Sequence, residues 1–289
     1  MPKLFVNRLT VIDFSYLHSE RGLLGETWLM DLELEGALDG QGMVLDFGLI
    51  KKQVKTLVDN EFDHKLLAPS YHPHCEIKEE SGDAVIHFAY GNQRQLFHRS
   101  PADAVCDLPV GDITIETVTR SIHDRLEQVL PGNIDRITVH LYAEEGPGAF
   151  YHYSHGLKQH QGNCLRIAHG HRSRLQIFQD GEQNEVLERQ WVDRWRDIYI
   201  AKHEDLSEEM EINDLTYNRF SYGTRAGDFQ LQLPKENCYL IDTDSTVENL
   251  AQHIADVLHK KHPDSRFVVR AYEGVDKGAI GKSGDFPEE

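Results

Sequence analysis

Thr246-Val-Glu248-Asn-Leu250, with Ile254 and Val257 beyond it and the run Arg266 to Tyr272 after that, repeats a pattern already written once in this chain. The first copy is Thr114-Ile-Glu116, then Val118, Ile122, Leu126 and Val129, then Ile134 to Tyr142. In each copy a threonine precedes apolar residues at helical spacing, and a strand-like run follows. Val139, Tyr142, Gly148 and Ala149 map onto Val269, Tyr272, Gly278 and Ala279 at one constant offset, and Thr114 and Glu116 map onto Thr246 and Glu248 at nearly the same one. Register kept over such a span marks an internal repeat. His18 in Phe-Ser-Tyr-Leu-His is expected to answer His155 in Tyr-His-Tyr-Ser-His.

Outward from the repeat, residues 4–17 and 27–36 alternate well enough for two strands, and Gly40-Gln-Gly42 is a turn signal. Leu49, Ile50, Val54, Leu57 and Val58 then lie on one helical stripe. Residues 70–98 are weakly patterned, with a strand expected over Asp83–Tyr90. Each half therefore reads as hairpin, helix, helix, strand. The fold class is α+β: two tandem units, 1–147 and 148–289, each an antiparallel sheet with helices on one face, pairing so that sheet edges close into a barrel. The stretch 179–232, with Trp191 and Trp195, reads as an insertion, and the tail 281–289 is expected to fray.

The chemistry-bearing stretch is Cys164-Leu-Arg-Ile-Ala-His169-Gly-His171, with His155 upstream. On a strand His169 and His171 share a face, and a third imidazole would complete a donor set suited to zinc with one position open. A solvated strand face reads equally well from spacing alone, since the chain has 17 histidines.

A length of 289 residues accommodates two domains, and a net charge of -18 argues against nucleic acid or an anionic membrane as partner. The 4 cysteines form no CxxC pair, so reduced thiols and a cytoplasmic location are expected. No apolar run approaches the roughly 20 residues of a membrane span.

The motifs Phe14-Ser-Tyr-Leu-His18, Gly42-Met-Val-Leu-Asp46-Phe47-Gly48-Leu-Ile-Lys51 and Phe62-Asp63-His64-Lys-Leu-Leu67 lie in the first half. His155, Cys164, His169-Gly-His171, Thr246-Val-Glu248-Asn249-Leu250 and Val269-Arg-Ala-Tyr-Glu273 lie in the second. On these, over nearly its whole length, the chain resembles the 6-pyruvoyl-tetrahydropterin synthase and 6-carboxy-tetrahydropterin synthase family of the tunnelling fold, in a tandem-fused form. The resemblance implies Zn2+ on His155, His169 and His171, a pterin anchor at Glu273, and a proton-transfer set of Asp63, His64 and Cys164. The first half, with Gly25-Glu26-Thr27 opposite His169-Gly-His171 and Ala143 opposite Glu273, lacks metal and anchor. The second half has no counterpart of Asp63-His64. One composite site per chain follows, within a chain or between chains.

The implied activity is a zinc-dependent lyase converting 7,8-dihydroneopterin triphosphate to 6-carboxy-tetrahydropterin on the queuosine route. The alternatives are triphosphate elimination to 6-pyruvoyl-tetrahydropterin, aldolase-type cleavage of dihydroneopterin, and a non-catalytic pterin-binding protein. Arg166, Arg172, Arg174, Lys51, Lys52 and Lys55 are candidate cations for a small anionic pterin, and Asp46 reads as structural. A homo-oligomer is implied, a trimer standing in for a hexamer of single units. Cys164 departs from the family pattern: Leu165 to Ala168 separate it from His169, one residue more than the pattern allows, which on a continuous strand turns it away from the metal.

Overall fold

A computed structural model describes residues 1–286. The first half opens with the long hairpin β1 (Lys3–His18) and β2 (Gly22–Gly36), then α1 (Phe47–Glu61) and β3 (Leu66–Pro69). A meander follows, β4 (Cys75–Glu80), β5 (Asp83–Tyr90) and β6 (Arg94–Pro101), then β7 (Val105–Leu108), α2 (Ile115–Val129) and β8 (Ile134–Ala143). The second half repeats the order: β9 (Ala149–His155), β10 (His169–Gln179), a short β11 (Glu182–Gln183), α3 (Glu185–Arg194) and β12 (Ile198–Lys202). It continues with β13 (Leu206–Ile212), β14 (Leu215–Thr224), β15 (Gly227–Pro234), β16 (Cys238–Ile241), α4 (Val247–Lys261), β17 (Phe267–Tyr272) and β18 (Gly278–Ser283).

Two sheets are built each from one half, in the orders β7-β3-β1-β2-β8 and β16-β12-β9-β10-β17-β18. Helices cover one face of each. Ile50, Val54 and Val58 of α1 and Val118, Ile122 and Leu126 of α2 close the first core, and α4 buries Leu250, Ile254 and Leu258 in the second. The repeated threonines are helix N-caps: Thr114 accepts from Thr117 N–H and Thr246 from Asn249 N–H. Asp46 caps α1 by accepting from Leu49 N–H at 2.9 Å, the structural role read for it. Leu49 itself is exposed, so the buried stripe of α1 is narrower than the sequence implied.

The third sheet, in the order β13-β14-β15-β6-β5-β4, belongs to both halves, joined where Leu231 faces His98 and Gln232 faces Phe97. This corrects the reading of 179–232 as an insertion. These residues hold α3, β12 and a β13-β14-β15 meander, which answer α1, β3 and β4-β5-β6 of the first half. The match was hidden because β13 and β4 are largely exposed and carry little apolar alternation. The second strand also begins earlier than the expected residue 27, because Gly22–Glu26 is buried on both faces and therefore does not alternate. The tail is tied into the sheet through Ser283, where fraying was expected, and residues 287–289 of that expected segment lie outside the described residues. No helix among the described residues is long and apolar enough to cross a membrane.

The β1-β2 hairpin lies against β9-β10. Ser15 Oγ and Ser154 Oγ are 2.8 Å apart, and a Cβ on Gly170 would sit 2.5 Å from Gly25 Cα. Only glycine at both positions allows this approach. Ser15 pairs with Gly25 and with Leu66, and Ser154 pairs with Gly170 and with Tyr199. The equivalence this sets is Tyr16 for His155 and Leu24-Gly25-Glu26 for His169-Gly170-His171. It corrects two sequence-based correspondences, His18 with His155 and Gly25-Glu26-Thr27 with His169-Gly-His171, each displaced because the hairpin turn of the first half is far shorter than the 156–168 loop. His18 instead caps its turn, its Nδ1 accepting from the N–H groups of Glu20 and Arg21.

Candidate active site

His155 ends β9, and His169 and His171 begin β10, with His155 directly opposite His169 in the ladder. All three side chains are buried, and one nitrogen from each lies within 4.8 Å of the others. Two of the Nδ1 atoms are hydrogen-bonded. His155 Nδ1 donates to the Ser245 carbonyl at 3.0 Å, and His169 Nδ1 donates to the Arg166 carbonyl at 3.1 Å. His171 Nδ1 lies 3.1 Å from Asp13 Oδ1 in a bent approach. The three Nε2 atoms have no partner among the described residues. Burial first, then the neighbouring imidazoles, drive His155 and His169 well below the usual histidine value, so both present neutral lone pairs. Three buried Nε2 atoms without a partner, one from each ring, are a donor set for a borderline metal ion. On these grounds the residues fit a metal.

The first half supplies the opposite wall. Asp63 and His64 lie in the turn after α1, with His64 at φ +55, held by its N–H donating to the Asp13 carbonyl at 2.6 Å. Asp63 Oδ2 is 2.6 Å from His64 Nδ1, and its Oδ1 accepts from Asp13 N–H at 2.8 Å. The His64 ring faces that of His169, so the two halves of one chain meet at this wall. Burial opposes the charged form of His64, but hydrogen bonds to Asp63 and Cys164 overcome it and push the imidazole up to about 10.

Cys164 sits in the 3-10 turn Asn163–Leu165, before β10 begins. The extra residue is therefore absorbed by the loop. Leu165 goes into the apolar core beneath, and Cys164 lies close enough to His64 to bear on its charge. Glu273 follows β17 with Oε1 4.0 Å from His171 Nε2, and its N–H donates to the Lys277 carbonyl at 3.0 Å across a tight turn. The equivalent position in the first half is Ala143, the last residue of β8, as the constant offset predicted. The structure brings together all seven of His155, His169, His171, Asp63, His64, Cys164 and Glu273.

The expected cations fare differently. Lys51, Lys52 and Lys55 are exposed on α1, and Lys55 is paired with Asp59. Arg172 and Arg174 are taken up by Glu144, through its carbonyl and its carboxylate respectively. Arg166 is buried against the His64 carbonyl at 3.3 Å and Asp103 at 3.2 Å. The cation at the site is Lys277, 3.2 Å from Asp13 Oδ2 and close enough to Glu273 and Cys164 to feel both. Sequence reading missed Lys277, Asp13 and Ser245. Asp13 and Ser245 lie in parts of the chain with no ligand spacing to the histidines, so no local motif marks them.

The equivalent position across the Ser15–Ser154 contact holds Tyr16, Leu24 and Glu26 for the three histidines and Asp197, at φ +57, for His64. Arg21 is ion-paired to Asp197 there. This donor set has no imidazole lone pairs to offer in place of the three on the other side.

Comparison with known proteins agrees with this duplication. The sequence profile of the family described as 6-pyruvoyl tetrahydropterin synthase matches residues 11–154 and again 148–281. A Methanocaldococcus jannaschii protein provisionally named a 6-carboxy-5,6,7,8-tetrahydropterin synthase is 34% identical over 132 residues, 44% of this chain and 77% of that protein. A Pyrococcus horikoshii protein of the same provisional name is 26% identical over 133 residues, 46% of this chain and 76% of that one. Among solved structures, 6-pyruvoyl tetrahydropterin synthase from Plasmodium vivax aligns with a TM-score of 0.41 and 19% identity, covering 48% of this chain and 90% of its own. Matched by the profile in both halves, the chain belongs to the 6-pyruvoyl tetrahydropterin synthase family and carries that family's unit in tandem.

Proposed function

We propose that this protein is a zinc-dependent lyase of the tetrahydropterin synthase type, with one composite site per chain formed between its two halves. Its substrate in this reading is 7,8-dihydroneopterin triphosphate and its product 6-carboxy-tetrahydropterin. The observation that carries the reading is the trio of buried, partnerless Nε2 atoms facing the Asp63–His64 pair and Cys164. The provisional name shared by the two archaeal relatives favours the carboxy product over the pyruvoyl one. The units 1–147 and 148–289 are then two family units in one chain, and a trimer of chains would supply the six units of a hexamer.

His155, His169 and His171 would hold zinc, which when bound supplies Lewis-acid stabilisation of negative charge on side-chain oxygens of the substrate. Glu273, beside this position, would accept from the N–H edge of the pterin ring with both carboxylate oxygens and so fix which side-chain carbon faces Cys164. Cys164 would take a proton from that carbon as its thiolate. His64 is hydrogen-bonded to Asp63 and lies beside Cys164, so its imidazolium would stabilise the thiolate and carry the proton onward. Asp63 fixes the ring by its Nδ1 contact. The three histidines are buried, whereas His64, Cys164, Glu273 and Lys277 are partly exposed, so substrate would enter on their side.

Mass spectrometry of products after incubating the zinc-loaded protein with 7,8-dihydroneopterin triphosphate tests this reading. A carboxy-tetrahydropterin mass supports it, a pyruvoyl-tetrahydropterin mass transfers it to the elimination reaction, and unchanged substrate with zinc bound refutes the lyase assignment.

A further inference from the structure

One carboxylate beside the three histidines belongs neither to their trio nor to the Asp63–His64 pair. Asp13 lies in the middle of β1, in the half that contributes none of the three clustered histidines, yet it is almost wholly buried and stands 3.1 Å from His171 Nδ1. Its other contacts fix it there. Thr27 Oγ1 donates to Asp13 Oδ1 at 2.7 Å, and Lys277 Nζ donates to Oδ2 at 3.2 Å. Gly274, at φ +69, makes room for it, since a Cβ there would lie 2.6 Å from Asp13 Oδ1.

The pseudo-symmetry of the chain supplies an independent argument. By the Ser15–Ser154 register the counterpart of Asp13 is His152, which donates from Nδ1 to the Gly25 carbonyl at 2.8 Å, and the counterpart of Thr27 is Arg172. A carboxylate at this position therefore occurs only on the side that has the three histidines. A group kept merely for packing the hairpins together would serve both sides alike.

We infer that Asp13 is a positioning residue for the metal, holding His171 so that Nε2 and not Nδ1 faces the ion, and that metal retention therefore depends on docking of the first half against the second. A carboxylate behind a ligating imidazole fixes its orientation and raises its basicity, and removing such a partner weakens metal binding about 10- to 100-fold. The inference rests on the metal reading of the three histidines.

The test is competition for zinc between the protein and a chromophoric chelator, for the native chain, Asp13→Ala, Asp13→Asn and Thr27→Val. Asp13→Ala should bind about 10- to 100-fold more weakly, Asp13→Asn, which keeps an acceptor oxygen without its charge, should fall between, and Thr27→Val should shift the same way by less. Cobalt(II)-loaded Asp13→Asn should also show displaced visible bands, which a packing defect far from the ion would not produce. Unfolding of the metal-free variants controls for stability, and Lys277, half-exposed, tolerates loss of its partner. Affinity within about 2-fold of the native chain in Asp13→Ala, or a loss matched by the loss of metal-free stability, overturns the inference. Absence of zinc binding by the native chain overturns the metal reading itself and this inference with it.

Discussion

His64 of the first half and His169 of the second face each other with ring centroids 5.4 Å apart and planes tilted by 32°. One ring belongs to the Asp-His pair and the other to the metal-type set, and a single chain carries both. Replacing Asp63 by Asn, or His64 by Ala, should leave zinc content unchanged and lower kcat about 10^2- to 10^4-fold, the range for loss of a positioned proton-transfer group. Metal analysis beside single-turnover kinetics reads both quantities. Loss of zinc in either variant would show that the pair serves the metal instead.

Cys164 lies on the His64 side because the 3-10 turn takes up one residue before β10 starts. Cys164→Ala should therefore cost turnover on a comparable scale, whereas Leu165→Ala should lower stability by about 2–5 kcal/mol as a core truncation without entering the chemistry. Full turnover by zinc-loaded Cys164→Ala would remove the thiol from the mechanism.

Glu273→Gln replaces one of two acceptor oxygens by a donor that would face the pterin N–H edge. The loss of a charged hydrogen-bond acceptor, about 1.5–3 kcal/mol, corresponds to a fall in kcat/KM of about 10- to 100-fold, with metal binding retained. An unchanged kcat/KM for the pterin substrate would place the ring elsewhere.

Much of this arrangement was legible in the sequence. The threonine caps, the two amphipathic helices and the closing strands all followed from spacing, and the constant offset put Ala143 where the second half has Glu273. Two things were not legible. Gly22–Glu26 is covered on both faces by tertiary packing, so alternation fails at the very strand where the two hairpins meet. Without that strand's register the first-half equivalents of the histidines were misplaced, by two residues at His18 and by one at Gly25. The β13-β14-β15 meander lacked a visible counterpart because its resemblance to β4-β5-β6 lies in pairing order and not in side chains.

The counterpart site carries a pH signature of its own. Burial pushes the Glu26 carboxyl up to about 7 from 4.5, against the pull of the Thr27 N–H, Arg172 and Arg21. A carboxyl whose folded value is raised favours the folded state only while protonated. Its ionisation therefore costs stability progressively from about pH 4.5 to about 7, on the order of 3 kcal/mol in all, and no more above that. Glu26→Gln mimics the protonated acid, so its stability relative to the native chain should rise across that window in denaturant titrations. A difference between the two that does not change with pH would contradict the assignment.

The central claim is that one site forms between the halves of one chain, and mixing of impaired variants tests it most directly. His169→Ala and His64→Ala chains, each strongly impaired, are unfolded together, refolded together with zinc and assayed for turnover of 7,8-dihydroneopterin triphosphate beside refolded native protein. No mixed chain then carries both intact sets, so the account predicts no recovered activity while the native control regains its own. Recovery of a substantial fraction of native turnover would show that the histidines of one chain work with the Asp63–His64 pair of another, and the claim would fail.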